Sequence, residues 1–497
     1  MNTAPRSLRV LTLALGAAWA VPVCAFAQTP TAGDWIVDAR LRYENVSQDG
    51  VNNADALTLR ARLGYETAAF HGFKVLAELE GVAQVTDDFN DTVNGHTSFA
   101  IVPDPEAFEL NRLQLSWAGA HGRRAVLGRQ RIILNNARFL GNAGFRQNEQ
   151  TFDAVRLEAR PFEHAAFTYI YIDRVRRIFG DDSPQGEWDS DSHVLQADID
   201  LPLGRLNAYG LLLDFQNAAA QSSQTYGVRW SKEWEAGAFR PRLTLEAATQ
   251  SDYRGNSADF ELGYQHAEFV VRRDRWTVNA GGERLEGNGA RGFSTPLASL
   301  HPFQGWADVF NATPADGVRD LYAGVSYATQ PWPAAQPVTF TLVGHDFTDD
   351  GGRVDFGSEW DASARFTLSG GRVLDIFPPR RGRAKPARLA QLRAVGCTCA
   401  AQALTGLLDQ SQEGVDLDRF AANRNLTTAE MADVELAVTM KVVGGDGHRR
   451  STPARLNAGA RFGFAPSAWQ AVRAAALARL EKWHTEHPGA QGVAERQ

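Results

Sequence analysis

Cysteine and methionine are scarce in this 497-residue chain, at three residues each. Cys24 falls in an N-terminal segment that reads as removable, which leaves Cys397 and Cys399 and excludes a disulfide framework for the main body. Net positive charge is missing as well. The formal charge of -7 argues against nucleic acid as a partner, because such surfaces are basic. Past residue 27 no apolar run approaches the ~18 residues that a membrane helix requires, so any span must be built from strands. Nucleophile-elbow, P-loop and zinc signatures are absent, and histidines such as His193 and His266 show no catalytic spacing. Asp181, Asp182, Asp189, Asp191, Asp349 and Asp350 lack EF-hand order. No enzyme activity, cofactor or metal is therefore expected.

What is present points to export. Arg6 and Arg9 precede an apolar run from Val10 to Val23, and Ala25-Phe26-Ala27 fits a cleavage site, so residues 1–27 are expected to be a signal peptide. From there hydrophobicity alternates with period two. Trp35, Val37, Ala39, Leu41 and Tyr43 share one face, and Asp38, Arg40, Arg42 and Glu44 the other. Leu57, Leu59, Ala61 and Leu63 oppose Thr58, Arg60 and Arg62, while Leu113, Leu115 and Trp117 oppose Arg112, Gln114 and Ser116. About sixteen such segments, an even number as bacterial barrels require, follow one another as far as Leu368. The fifth is expected over His121–Leu134 and the eighth over His193–Leu201.

The connections alternate in length. Short ones fall at 70–72, 119–121, 161–164, 202–204, 235–238 and 272–274, and the other set includes long loops at 86–106, 135–150, 175–192 and 286–318. Short periplasmic turns and longer extracellular loops mark an outer-membrane barrel. A secreted β-sandwich also alternates in hydropathy but gives no reason for alternating loop lengths. The expected fold is all-β, an antiparallel transmembrane β-barrel over residues 28–371. An atypical tail, 372–497, follows. It is α-rich or irregular, a fused or frame-altered segment with candidate helices at Leu389–Leu408 and Ser467–Trp483 and candidate strands at Glu435–Val443 and Arg455–Phe464.

Two ordered blocks carry a family resemblance. Gly128-Arg129-Gln130-Arg131-Ile132, with Arg138-Phe139-Leu140-Gly141-Asn142 and Phe145-Arg146-Gln147-Asn148-Glu149-Gln150-Thr151-Phe152-Asp153, resembles a signature of the alginate export family of outer-membrane barrels. Leu300-His301-Pro302-Phe303-Gln304-Gly305-Trp306-Ala307-Asp308 resembles a second block of it. The resemblance covers about residues 30–370. It implies a barrel of about eighteen strands in the Gram-negative outer membrane. It further implies an arginine-rich lumen for an anionic sugar, polysaccharide or smaller anion, with outer-membrane lipid and periplasmic export machinery as partners. Past Gly370-Gly371 the family pattern of a closing strand pair is replaced by Asp375-Ile376-Phe377-Pro378-Pro379.

If the apolar face meets lipid, the opposite face gathers Arg40, Arg42, Arg60, Arg62, Arg112, Arg156, Arg160, Arg229, Arg242 and Arg365. Planar guanidinium forks match carboxylates, and arginine rings are how anion pores select. Asp38, Glu44, Glu66, Glu158, Asp198 and Glu246 share that face, so cross-strand ion pairs occupy part of this charge. Gly128–Arg160 stands apart. Arg129 and Arg131 lead into a loop bearing Arg138, Arg146, Gln147, Asn148 and Gln150, expected to fold inward as the constriction with Arg138 and Arg146 facing the permeant. Asn136, Gly141 and Gly144 would permit its tight backbone. The expected function is a passive channel for an alginate-like polymer, uronates or small anions. A general porin, an adhesin and a hydrolase at the barrel rim remain open.

Overall fold

Alternation of this kind satisfies a sheet with two unlike faces, and the described residues build one antiparallel sheet of seventeen strands. The computed structural model describes residues 33–48, 50–330, 337–367 and 373–377. The strands are β1 (Asp34–Val46), β2 (Ala54–Glu66), β3 (Phe73–Gln84), β4 (Ala107–Ala118), β5 (Arg124–Gln130), β6 (Thr151–Phe162), β7 (Ala165–Arg176), β8 (Glu187–Leu201) and β9 (Gly204–Leu213). They continue with β10 (Ser223–Glu233), β11 (Arg240–Asp252), β12 (Glu261–Arg273), β13 (Trp276–Leu285), β14 (Val318–Ala328), β15 (Val338–Thr348), β16 (Asp355–Thr367) and β17 (Val373–Ile376). Each pairs with its successor. Among the described residues no ladder joins β17 to β1.

All of the expected strands are present, with two shifts of boundary. The fifth is shorter than His121–Leu134, because the chain leaves the ladder at Arg131, whose guanidinium turns to Glu149. The eighth begins at Glu187 rather than His193, because Glu187 and Asp189 sit opposite Arg176 and Arg174 in the ladder and pair with them. The short β17 lies past Gly371. The candidate signal peptide, Cys397 and Cys399, and the candidate helices and strands of the tail lie outside the described residues.

The outer face is apolar and exposed: Leu63, Leu115, Leu195, Leu245, Val278, Leu321 and Trp360 all point away from the interior. Aromatic pairs gather at the strand ends beside the short turns, with Trp35 5.1 Å from Tyr65 and Trp276 4.6 Å from Tyr327, measured between ring centroids. An apolar band with an aromatic girdle is the surface that a bilayer covers.

The interior shows that the sheet is curled. Loop 131–150 receives Arg40 of β1, whose Nη1 and Nη2 donate to the carbonyls of Gly144 (3.0 Å) and Phe145 (2.8 Å). The same loop sends Arg138 to Glu283 of β13 at 2.6 Å. On a flat sheet those strands would stand about 58 Å apart, at ~4.8 Å per strand. The wall must therefore wrap around the loop. A second link spans the two ends of the sheet: Arg146 binds Glu44 of β1 and Asp308, while the adjacent Ala307 N–H donates to Glu359 of β16 at 2.7 Å.

Among the described residues, three buried apolar clusters fill the half of the interior nearest the long loops. In the largest, Ile132, Leu134 and Leu140 of loop 131–150 pack on Phe152, Ile170, Ile172, Val194, Leu211 and Leu213 of the wall. Strands β7 and β9 are thus apolar on both faces at this level, lipid outside and loop inside.

Candidate functional site

The inward arginines divide by how closely they are paired. Arg42 is fully buried, bonded to Asp104 and Glu44, with its guanidinium 4.3 Å from the Phe145 ring centroid. Arg60 bonds to Asp38, and Arg62 to Glu80 with Glu149 at 3.4 Å. Arg112 grips Glu78 with two contacts of 2.8 and 2.5 Å. Arg131 reaches Glu149 at 2.6 Å. Burial works to raise the Glu149 carboxyl, yet Arg62 and Arg131 outweigh it and hold it at about 2. Arg42, through Phe145, and Arg62, through Glu149, thus hold loop 131–150 to the wall, while Arg60 and Arg112 are occupied by carboxylates of neighbouring strands.

The loop's own candidates are anchors too. Arg138, expected to face the permeant, is buried, donating to Glu283 at 2.6 Å, Thr295 at 3.1 Å and Gln304 at 3.2 Å, with Phe303 beneath it. Arg146, expected beside it, is held by Glu44 at 3.2 Å and Asp308 at 2.9 Å. Gln147 is fully buried, its amide donating to Thr58, and Asn148 approaches Glu109 at 3.4 Å. The reason is chemical: a guanidinium desolvated by this loop needs a carboxylate, and the surrounding wall and the 286–317 loop supply one, Glu283 to Arg138 and Glu44 and Asp308 to Arg146.

Two candidates fall elsewhere. Arg129 pairs with Leu113 and Asp153 in the ladders, and paired residues share a face, so it points outward and bonds Asp153 at 2.8 Å. Arg160 is exposed at the short-turn end of β6. The acidic residues Asp181 and Asp189, considered for calcium, pair with Arg176 and Arg174.

Open space remains between the loop and the short-turn end. One cavity of about 420 Å³ is lined by Asn135, Asn136, Arg156, Gln196, Arg205 and Arg229. It adjoins a second of about 430 Å³ that shares Asn136 and Arg229 and adds Arg242, His266, Phe303, Tyr322 and His345. Arg156, Arg229 and Arg242 are the predicted residues that reach this space. Arg205 was not foreseen, although its parity on β9 with Asn207 and Tyr209 would have placed it inward. Two of the arginines here are loosely paired, Arg205 at 3.5 Å from Asp198 and 3.8 Å from Asp200 and Arg242 at 3.7 Å from Glu268, while Arg156 and Arg229 are held at 2.5 Å by Glu158 and Glu246. Opposite them Tyr322 lies between His266, at 3.1 Å, and His345, whose Nδ1 meets Asp320 at 2.9 Å. Among the described residues no cluster is arranged to hold a metal ion.

Comparison with solved structures settles the fold class. OccD3 (OpdP) of Pseudomonas aeruginosa superposes with a TM-score of 0.53 at 12% identity, covering 75% of this chain and 93% of that one. The fold is that of an outer-membrane porin. OpdL of the same organism gives 0.50 at 14% identity over 68% and 88% of the two chains. OpdK with vanillate gives 0.50 at 13% identity over 66% and 86%. No protein-family model matches the sequence, and no curated protein does.

Proposed function

We propose that this protein is an outer-membrane channel for small anionic solutes, carboxylates above all. The observation that carries this is the state of Arg205 and Arg242. Both present guanidinium groups to the interior cavities with no carboxylate among the described residues closer than 3.5 Å, whereas Arg62 and Arg138 at loop 131–150 are closely paired and buried. Loosely paired guanidiniums keep donors for a passing carboxylate, while closely paired ones do not. The alginate-like polymer implied by the two sequence blocks is the larger member of the same chemical class. Small solutes are favoured over it by the filling of the long-loop half with three packed clusters, which leaves little width for a chain of sugars.

Planar-bilayer recordings across a KCl gradient test the reading. The expected reversal potential favours chloride, and vanillate or a uronate added to one side interrupts the current. Arg205→Gln with Arg242→Gln shifts the reversal potential toward potassium. Cation preference in the unsubstituted channel overturns the proposal.

A further inference from the structure

A turn within the first block places a small residue where the two cavities meet. Asn136 and Arg229 line both. The turn is closed by the Ala137 N–H donating to the Leu134 carbonyl at 2.8 Å, and the flanking Asn135 (φ 51°) and Ala137 (φ 63°) both lie in the left-handed region. Two non-glycine residues in that region on either side of one position cost energy unless the surroundings enforce them.

Three contacts do so, each to a different part of the wall or its lining. The Asn135 amide donates to Gln196 of β8 at 3.2 Å, the Ala137 carbonyl accepts from the Ser299 N–H at 3.0 Å, and Arg138 is fixed on Glu283 of β13. Asn136 itself is exposed, and it projects from a turn whose neighbours are all held.

We infer that Asn136, which with Arg229 lines both luminal cavities, is the specificity-determining residue of this channel, the group past which each anion moves. It deepens the channel reading above and rests on it. A neutral amide at that point offers a donor to a carboxylate and an acceptor to a sugar hydroxyl without adding charge. The charge comes from the loosely paired Arg205, which lines the first cavity, and Arg242, which lines the second, while Arg229 is held by Glu246 at 2.5 Å, so an anion is attracted there without being trapped. Arg138, one residue beyond Ala137, holds the aperture in place from behind.

The test is chemical modification in bilayers. Asn136→Cys channels, shown to be folded by heat-modifiable migration, are treated with a negatively charged methanethiosulfonate, whose sulfinate leaves as the mixed disulfide forms. The unsubstituted channel under the same treatment sets the baseline for its own cysteines. Loss of conductance in Asn136→Cys beyond that baseline is expected, and unchanged conductance after verified modification overturns the assignment. Asn136→Asp, nearly isosteric, gives an independent reading: the reversal potential shifts toward cations, and an unshifted value counts against the assignment. Failure of the channel reading looks different, since then the unsubstituted protein prefers cations while the Asn136 variants still alter its conductance.

Discussion

Arginine has two roles in this lumen, and the difference lies in the nearest carboxylate. Arg138 shows the structural role. Its removal strands Glu283, itself buried, so Arg138→Ala is expected to destabilise the barrel by about 3–5 kcal/mol. Arg138→Met with Glu283→Gln recovers most of that loss, because removing both charges removes the desolvation penalty of each. The temperature at which the folded band disappears on heating measures both. Glu149 makes a pH prediction. Its folded value of about 2 lies below the ordinary 4.5, so its stabilisation is complete above pH 4.5 and is lost as pH falls from there toward 2. Unfolding temperatures across that window should fall in the unsubstituted protein, and Glu149→Gln should show a weaker dependence on a lower starting value.

At the scale of elements, the strands were legible from period two, and the loops less so. Parity alone put Leu63, Leu115 and Leu195 on the lipid face, where they stand. It also hid a signal: Ile170 and Ile172 of β7, and Leu211 and Leu213 of β9, sit at inward parity where a water-filled lumen would require polar groups. An apolar inward row means that something covers it, and loop 131–150 does. The expectation of an inward loop therefore holds, while its arginines serve as anchors because covering the row desolvates them. Gly141 is required by close approach rather than by an unusual backbone angle. A Cβ there would strike Ser299 and come within 2.7 Å of that of Ala137. Gly141→Val is expected to push loop 131–150 away from the 295–300 segment, giving a larger and noisier single-channel conductance with little change in heat-modifiable migration.

Across the whole molecule, the two sequence blocks that suggested a family, 128–153 and 300–308, come together in the lumen. Phe145 stacks on His301 at 3.3 Å, Arg138 bonds Gln304, and Arg146 bonds Asp308. Sequence separation concealed that contact, because nothing in a period-two pattern says which loops turn inward. The pattern does fix which face meets lipid, and that has a depth-dependent consequence. Leu245 lies mid-strand on the outer face of β11, whereas Trp276 opens β13 beside a short turn and packs on Tyr327 in the girdle. An arginine at the bilayer midplane costs ~2–4 kcal/mol, and one near the interface ~0–1 kcal/mol, since the long side chain there reaches water. Leu245→Arg should therefore lower folding stability in lipid vesicles much more than Trp276→Arg, once the lost ring contact of Trp276 is measured separately with Trp276→Leu. In detergent micelles, where no fixed hydrocarbon thickness exists, the gap between the two arginine variants should narrow. Equal losses in vesicles would mean that the outer face of β11 does not cross the hydrocarbon core.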